Sequence, residues 1–146
     1  MGIERWRRLL PGLWAGFLLC VALVATPAPF ALLATADAGR VAGRILAHEA
    51  YASVVLGVAV LLLERARARQ VGGRAFGLGF GLALGAIFCT VAGYFALQPM
   101  MAAARAGQGA LSFGQLHAVS AAFYVVKVIV VMALAWRAAF TPAPSS

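Results

Sequence analysis

The chain has 146 residues, of which 64% are hydrophobic and only 11% charged, and its mean hydropathy is +0.94. Soluble domains are about 45–50% apolar and about 25% charged, so this composition excludes an ordinary water-soluble fold. Twelve Lys and Arg against four Asp and Glu give a net charge of +8; a nucleic-acid binder would share that charge but could not keep so much apolar surface in water.

Four apolar stretches are each long enough for a ~30 Å hydrocarbon core, which takes about 20 helical residues. They run from about Gly12 to Leu33, Val41 to Leu63, Phe76 to Leu97 and Gly114 to Trp136. None alternates as a strand would, and helices satisfy their own backbone in lipid. The expected fold is all-α: a four-helix transmembrane up-down bundle forming a single domain over residues 1–146, with the lipid bilayer as its partner.

In the first stretch, Pro11 suits an opening helical turn. Thr26-Pro27-Ala28-Pro29 should kink or unwind the far end and leave carbonyls that need polar partners. A cleaved signal peptide would also begin with basic residues, but its apolar run would be about 7–15 residues, shorter than this one. Cys20 and Cys89 both fall at membrane depth, where they frame no disulfide scaffold.

Orientation follows from the arginines. Arg5, Arg7, Arg8, Arg65, Arg67, Arg69, Arg74 and Arg137 fall on one side, against Arg40, Arg44 and Arg105 on the other. The positive-inside rule then places both termini in the cytoplasm, as expected of a multi-pass protein of a bacterial inner membrane.

The second stretch carries Arg40, Arg44, His48 and Tyr51 on one stripe, with Glu49 about 100° around the axis. The third repeats Gly77, Gly81, Gly85, Cys89 and Gly93 every four residues, a seam of small side chains that lets helices approach closely. That seam serves another helix of the same chain, or else a homo-oligomer or a membrane-protein partner. Pro99 is expected to end the third helix, and Met100 to Gly114 to connect it to the fourth. On the fourth, His117, Ser120, Tyr124 and Lys127 share one face within about 80°. Thr141–Ser146 reads as a short polar tail.

Ionisable groups in lipid are expensive and mark functional sites. Counting helical rise places His48, Glu49, Tyr94, His117 and Ser120 in the outer leaflet, as one expected pocket, with Tyr124 and Lys127 deeper. The leading expectation is a small-solute binding or permeation module, or a subunit of a membrane assembly, with no resident cofactor. The alternative is a haem b or copper protein with His48 and His117 as ligands, Glu49, Met100 and Met101 being further candidates for a metal. A purely structural role, the two histidines bonding across helices, is the third option. Lys127 either snorkels or pairs with Glu49, the one acid at membrane depth. There is no paired-carboxylate, phosphate-loop or Ser/His/Asp pattern, so no enzyme is expected.

The run Phe113-Gly114-Gln115-Leu116-His117-Ala118-Val119-Ser120 resembles the F-x-x-x-H-x-x-S signature of the transmembrane protein 205-like family. Leu97-Gln98-Pro99 is similar to that family's L-x-P motif, and Pro27 to Leu33 with Ala38 to Gly43 is similar to the pattern of its bacterial members, which are of unknown function. The resemblance implies a four-helix membrane fold with His117 and Ser120 as matching positions. It implies no particular activity, and Lys127 lies outside its motifs.

Overall fold

A computed structural model of the protein describes residues 2–70, 72 and 76–140. The orienting residue Arg74 and the tail 141–146 lie outside the described residues. The described elements are helical: α1 (Gly2–Cys20), a π-helical stretch π1 (Val21–Ala25), α2 (Ala28–Leu32), α3 (Thr35–Gln70), α4 (Leu78–Thr90), a second π-helical stretch π2 (Val91–Ala96), α5 (Leu97–Arg105) and α6 (Phe113–Phe140). Together they make four helices long and apolar enough to cross a membrane, Gly2–Leu32, Thr35–Gln70, Leu78–Arg105 and Phe113–Phe140, the arrangement of a multi-pass membrane protein.

Every helix runs past its apolar stretch. The 36 residues of α3 span about 54 Å, well beyond a ~30 Å hydrocarbon core, so its arginine-bearing end reaches water. α1 begins at Gly2, which puts Pro11 inside the helix and buried, where an opening turn was expected. The added turns are stabilised by ion pairs: Arg7 Nη2 lies 2.7 Å from Glu4 Oε1, Arg8 Nε 3.3 Å from the same oxygen, and Arg7 Nη1 3.2 Å from Glu64 Oε1.

The distortion expected near Thr26–Pro29 is present as π1 followed by a turn at residues 26–27. A proline removes one amide donor and crowds the preceding turn, which the wider π turn relieves. The same device lets the third membrane helix pass Pro99, which does not end it. π2 widens the chain beforehand, and Pro99 falls third in α5, where a missing N–H costs least. α5 ends instead at Arg105. Gly107, at φ +73°, donates to Ala104 O at 3.1 Å, and Gln108 N donates to Ala103 O at 2.9 Å, so a left-handed glycine closes the helix. α6 starts with a reciprocal cap: Gln115 N donates to Ser112 Oγ at 3.2 Å and Ser112 N to Gln115 Oε1 at 2.9 Å.

The four membrane helices form a ring in which each packs against its two neighbours: α1 on α3, α3 on α4, α4 on α6, and α6 back on α1. The end of α1 near Arg7 lies beside the end of α3 at Glu64 and the start of α4 at Gly79; the opposite end of the bundle carries the turn after α2 and the loop after α5. Toward the terminal end, Trp14, Ala15, Leu18, Val60, Ala83, Ala86, Val131 and Leu134 make one closed core. Large apolar side chains such as Leu23, Val55, Phe88 and Ile129 stay exposed on the perimeter, as a lipid-facing surface requires.

The expected glycine seam is only partly used. Gly77 and Gly81 are exposed, and a Cβ at Gly81 would meet nothing within 4 Å. At Gly85 it would reach Val130 Cγ1 at 4.0 Å, whereas at Gly93 it would collide with the Phe123 side chain of α6. Close approach also occurs at Gly57 against Ile87 and at Gly79 against Glu64, outside that seam. The helices come together at particular heights, which a four-residue repeat cannot specify.

Candidate functional site

The distal half of the bundle is hollow. A cavity of about 810 Å³ is lined from all four membrane helices: Thr26 and Phe30 from the first, Thr35 to Glu49 on α3, Cys89 to Arg105 on the third, and Phe113 to Lys127 on α6. Its lining belongs to the opposite half of the helices from the core, so packed side chains close its inner end. Its volume lies within the ~300–1,000 Å³ typical of ligand pockets. Both π-helical stretches border it, at Ala22, Gly93 and Tyr94.

The face of α6 read from sequence borders the cavity, with His117 exposed, Ser120 and Tyr124 half-buried and Lys127 buried, and the last three are fixed by bonds to three different helices. Ser120 Oγ donates to Gly93 O at 2.6 Å, in π2. Tyr124 Oη donates to Leu18 O at 2.9 Å, just before π1. Irregular helix leaves carbonyls without partners, and these hydroxyls serve that need. Lys127 Nζ, 3% exposed, donates to Glu49 Oε1 at 2.7 Å, with the carboxylate 2% exposed. Ser53 Oγ donates to the same oxygen at 2.5 Å and accepts Trp14 Nε1–H at 3.0 Å. The Glu49–Lys127 pair crosses the diagonal of the ring, between helices whose backbones do not touch. Of the alternatives for Lys127, internal pairing is the one found: its long side chain closes the height difference expected from helical rise. Joined through Glu49 Oε1, the network forms the floor of the cavity.

His117 lines the cavity and stacks on Phe113, with centroids 5.7 Å apart, and Tyr94 lines it as well. His48 does not. It is exposed, and its Nδ1 lies 2.8 Å from Arg44 O one turn back on its own helix. Tyr51 is also exposed, edge-on to Phe95. The polar stripe Arg40–Arg44–His48–Tyr51 therefore lies mostly outward. The buried residues of α3 are Ala38, Ala42, Glu49, Ala50, Ser53, Gly57 and Val60, because small side chains permit close helix contact and the polar members can bond. The pocket expected around His48, Glu49, Tyr94, His117 and Ser120 thus forms without His48, and the two histidines on which a haem or copper site would rest are not brought into one cavity.

Sequence reasoning missed Ser53 as a partner of Glu49, and Trp14 as the donor to Ser53 behind it, although a serine four residues on shares a helical face with the carboxylate. It also passed over the capping pair Ser112 and Gln115, which sets where α6 begins.

Residues 9–110 match the family described as a domain of unknown function (DUF4149). No curated protein and no solved structure matches the chain.

Proposed function

The chain belongs to the DUF4149 family, and from that premise we propose that it is a non-catalytic small-solute binding protein of the bacterial inner membrane, with both termini cytoplasmic and its cavity open toward the outer face. One observation carries this reading: a cavity lined from all four membrane helices, floored by a bonded Glu49–Lys127 pair and backed by a closed core. That sealed inner half supports binding over passage, since the core around Trp14, Val60 and Val131 offers no continuous path. The carboxylate of Glu49 and the ammonium of Lys127 are committed to each other, which supports a non-catalytic role for the floor of the cavity. In the same reading the chain is a bacterial relative of the transmembrane protein 205-like family, supported by the Phe113, His117 and Ser120 spacing at the cavity.

Cysteine accessibility tests the proposal. In a background lacking Cys20 and Cys89, cysteines at Gln98 or Ala121 in the cavity should react in intact spheroplasts with a charged, membrane-impermeant thiol reagent. Cysteines at the lipid-facing Val55 and Leu84 should not. Protection of every cavity position would refute a hydrated cavity; labelling confined to inverted vesicles would refute the orientation.

A further inference from the structure

Charge is distributed unevenly along the cavity. At its floor Glu49 is engaged by Lys127 and Ser53, so the pair presents no net charge. At the opposite end stand Arg40, Arg105 and His117. Arg40 pairs with Asp37 on an exposed turn. Arg105 has no carboxylate partner among the described residues; its guanidinium lies 4.4 Å from the centroid of the Phe113 ring, which in turn stacks on His117. A guanidinium resting on an aromatic face keeps its in-plane N–H donors available.

Between these ends the walls are mainly apolar, with Phe30, Leu46, Met101 and Val125 among them, and the hydroxyls of Ser120 and Tyr124 on the wall are spent on backbone carbonyls. From Phe113 to Lys127 the site follows roughly 21 Å of helix, so it is long as well as capacious. Thr26 Oγ1, on the wall, is buried without a hydrogen-bond partner.

A site that is cationic at the mouth, mainly apolar and uncharged along its length and electrically closed at the floor complements a molecule with the reverse arrangement. We infer that the cavity binds a single-chain anionic amphiphile, its carboxylate or phosphate head held by Arg105 and His117 and its alkyl chain running in toward the Glu49–Lys127 pair. This rests on the proposed binding role and adds the class of ligand. Free fatty acids and anionic lysophospholipids share this head-group chemistry, whereas a cationic amphiphile would set like charge against Arg105.

The full chain in zwitterionic nanodiscs, with dansyl-labelled undecanoate as the probe and empty nanodiscs as the partition blank, tests the inference. Saturable binding is expected, displaced by dodecanoate or dodecyl phosphate at least tenfold more effectively than by dodecyltrimethylammonium; the stronger anion identifies the head group. Arg105→Gln should weaken displacement by dodecanoate about tenfold, the scale of a charge-assisted hydrogen bond, and leave methyl dodecanoate unchanged. Arg65→Gln, which removes the same charge at the other end of the bundle, should leave both unchanged. Equal displacement by anion and cation, or an Arg105→Gln variant that binds like the parent, would overturn the charge assignment while displacement by methyl dodecanoate preserved the binding role. No saturable binding of any chain would overturn both.

Discussion

Replacing Glu49 with Gln tests whether the diagonal pair holds the hollow half together. Lys127 Nζ and Glu49 Oε1 are 2.7 Å apart, with side chains 3% and 2% exposed, and breaking one partner of a pair so buried costs about 3–5 kcal/mol. Two features favour the lower end for Gln. Its side-chain oxygen still accepts from Ser53 and from the ammonium, and the adjoining cavity gives the stranded charge access to water. The expected loss is about 3 kcal/mol for Glu49→Gln and about 4 kcal/mol for Lys127→Met, which leaves the carboxylate with Ser53 alone. At about 2–4 °C per kcal/mol for a chain of this size, Glu49→Gln should lower Tm by roughly 6–12 °C. Removing both charges strands neither, so the double variant should cost less than the sum of the singles, a coupling of about 2 kcal/mol or more. Thermal unfolding in mild detergent, followed by circular dichroism at fixed protein and detergent concentration, measures all four corners of the cycle. A Tm within about 2 °C of the parent for Glu49→Gln, or additive losses in the double variant, would refute the reasoning.

Two further predictions use the same unfolding assay. Gly93→Ala drives a methyl into Phe123 and should cost about 1–3 kcal/mol, whereas Gly81→Ala, facing open space, should be neutral or gain up to about 1 kcal/mol of helix propensity; equal effects would contradict the observed helix contacts. Tyr124→Phe and Ser120→Ala each leave one carbonyl, of Leu18 or Gly93, without its donor, so each should lose about 1–2 kcal/mol and the pair should lose close to the sum; strongly sub-additive losses would show that the two hydroxyls do not serve separate irregular turns.

Much of the scaffold was legible because lipid imposes coarse rules. Four runs of apolar residues imply four helices, and Pro27 with Pro29 implies a local break that the π turn supplies. Lys127 and Glu49 stood out as the deep charges. Their direct bond did not, because rise per residue gives height along an axis but not how far a lysine reaches across a ring. The reading of α3 failed at His48 for a related reason. A polar stripe near a membrane surface is satisfied as well by headgroups or by its own helix as by a cavity, and His48 takes the carbonyl of Arg44. The inward face is the one with small residues, which periodicity of polarity does not mark.

Composition and hydropathy therefore determine that the chain is helical, how many times it can cross a bilayer, and which few hydrophilic side chains lie at depth, since each is a local property of residues against lipid. Tertiary structure alone decides that Lys127 meets Glu49 across the diagonal, that Ser120 and Tyr124 are spent on the carbonyls of Gly93 and Leu18, and that the space left over is a blind cavity with Arg105 at its mouth. Those outcomes depend on the rotation and height of four helices about one another, set by the sum of many close contacts such as Gly93 on Phe123, and no single segment carries that sum.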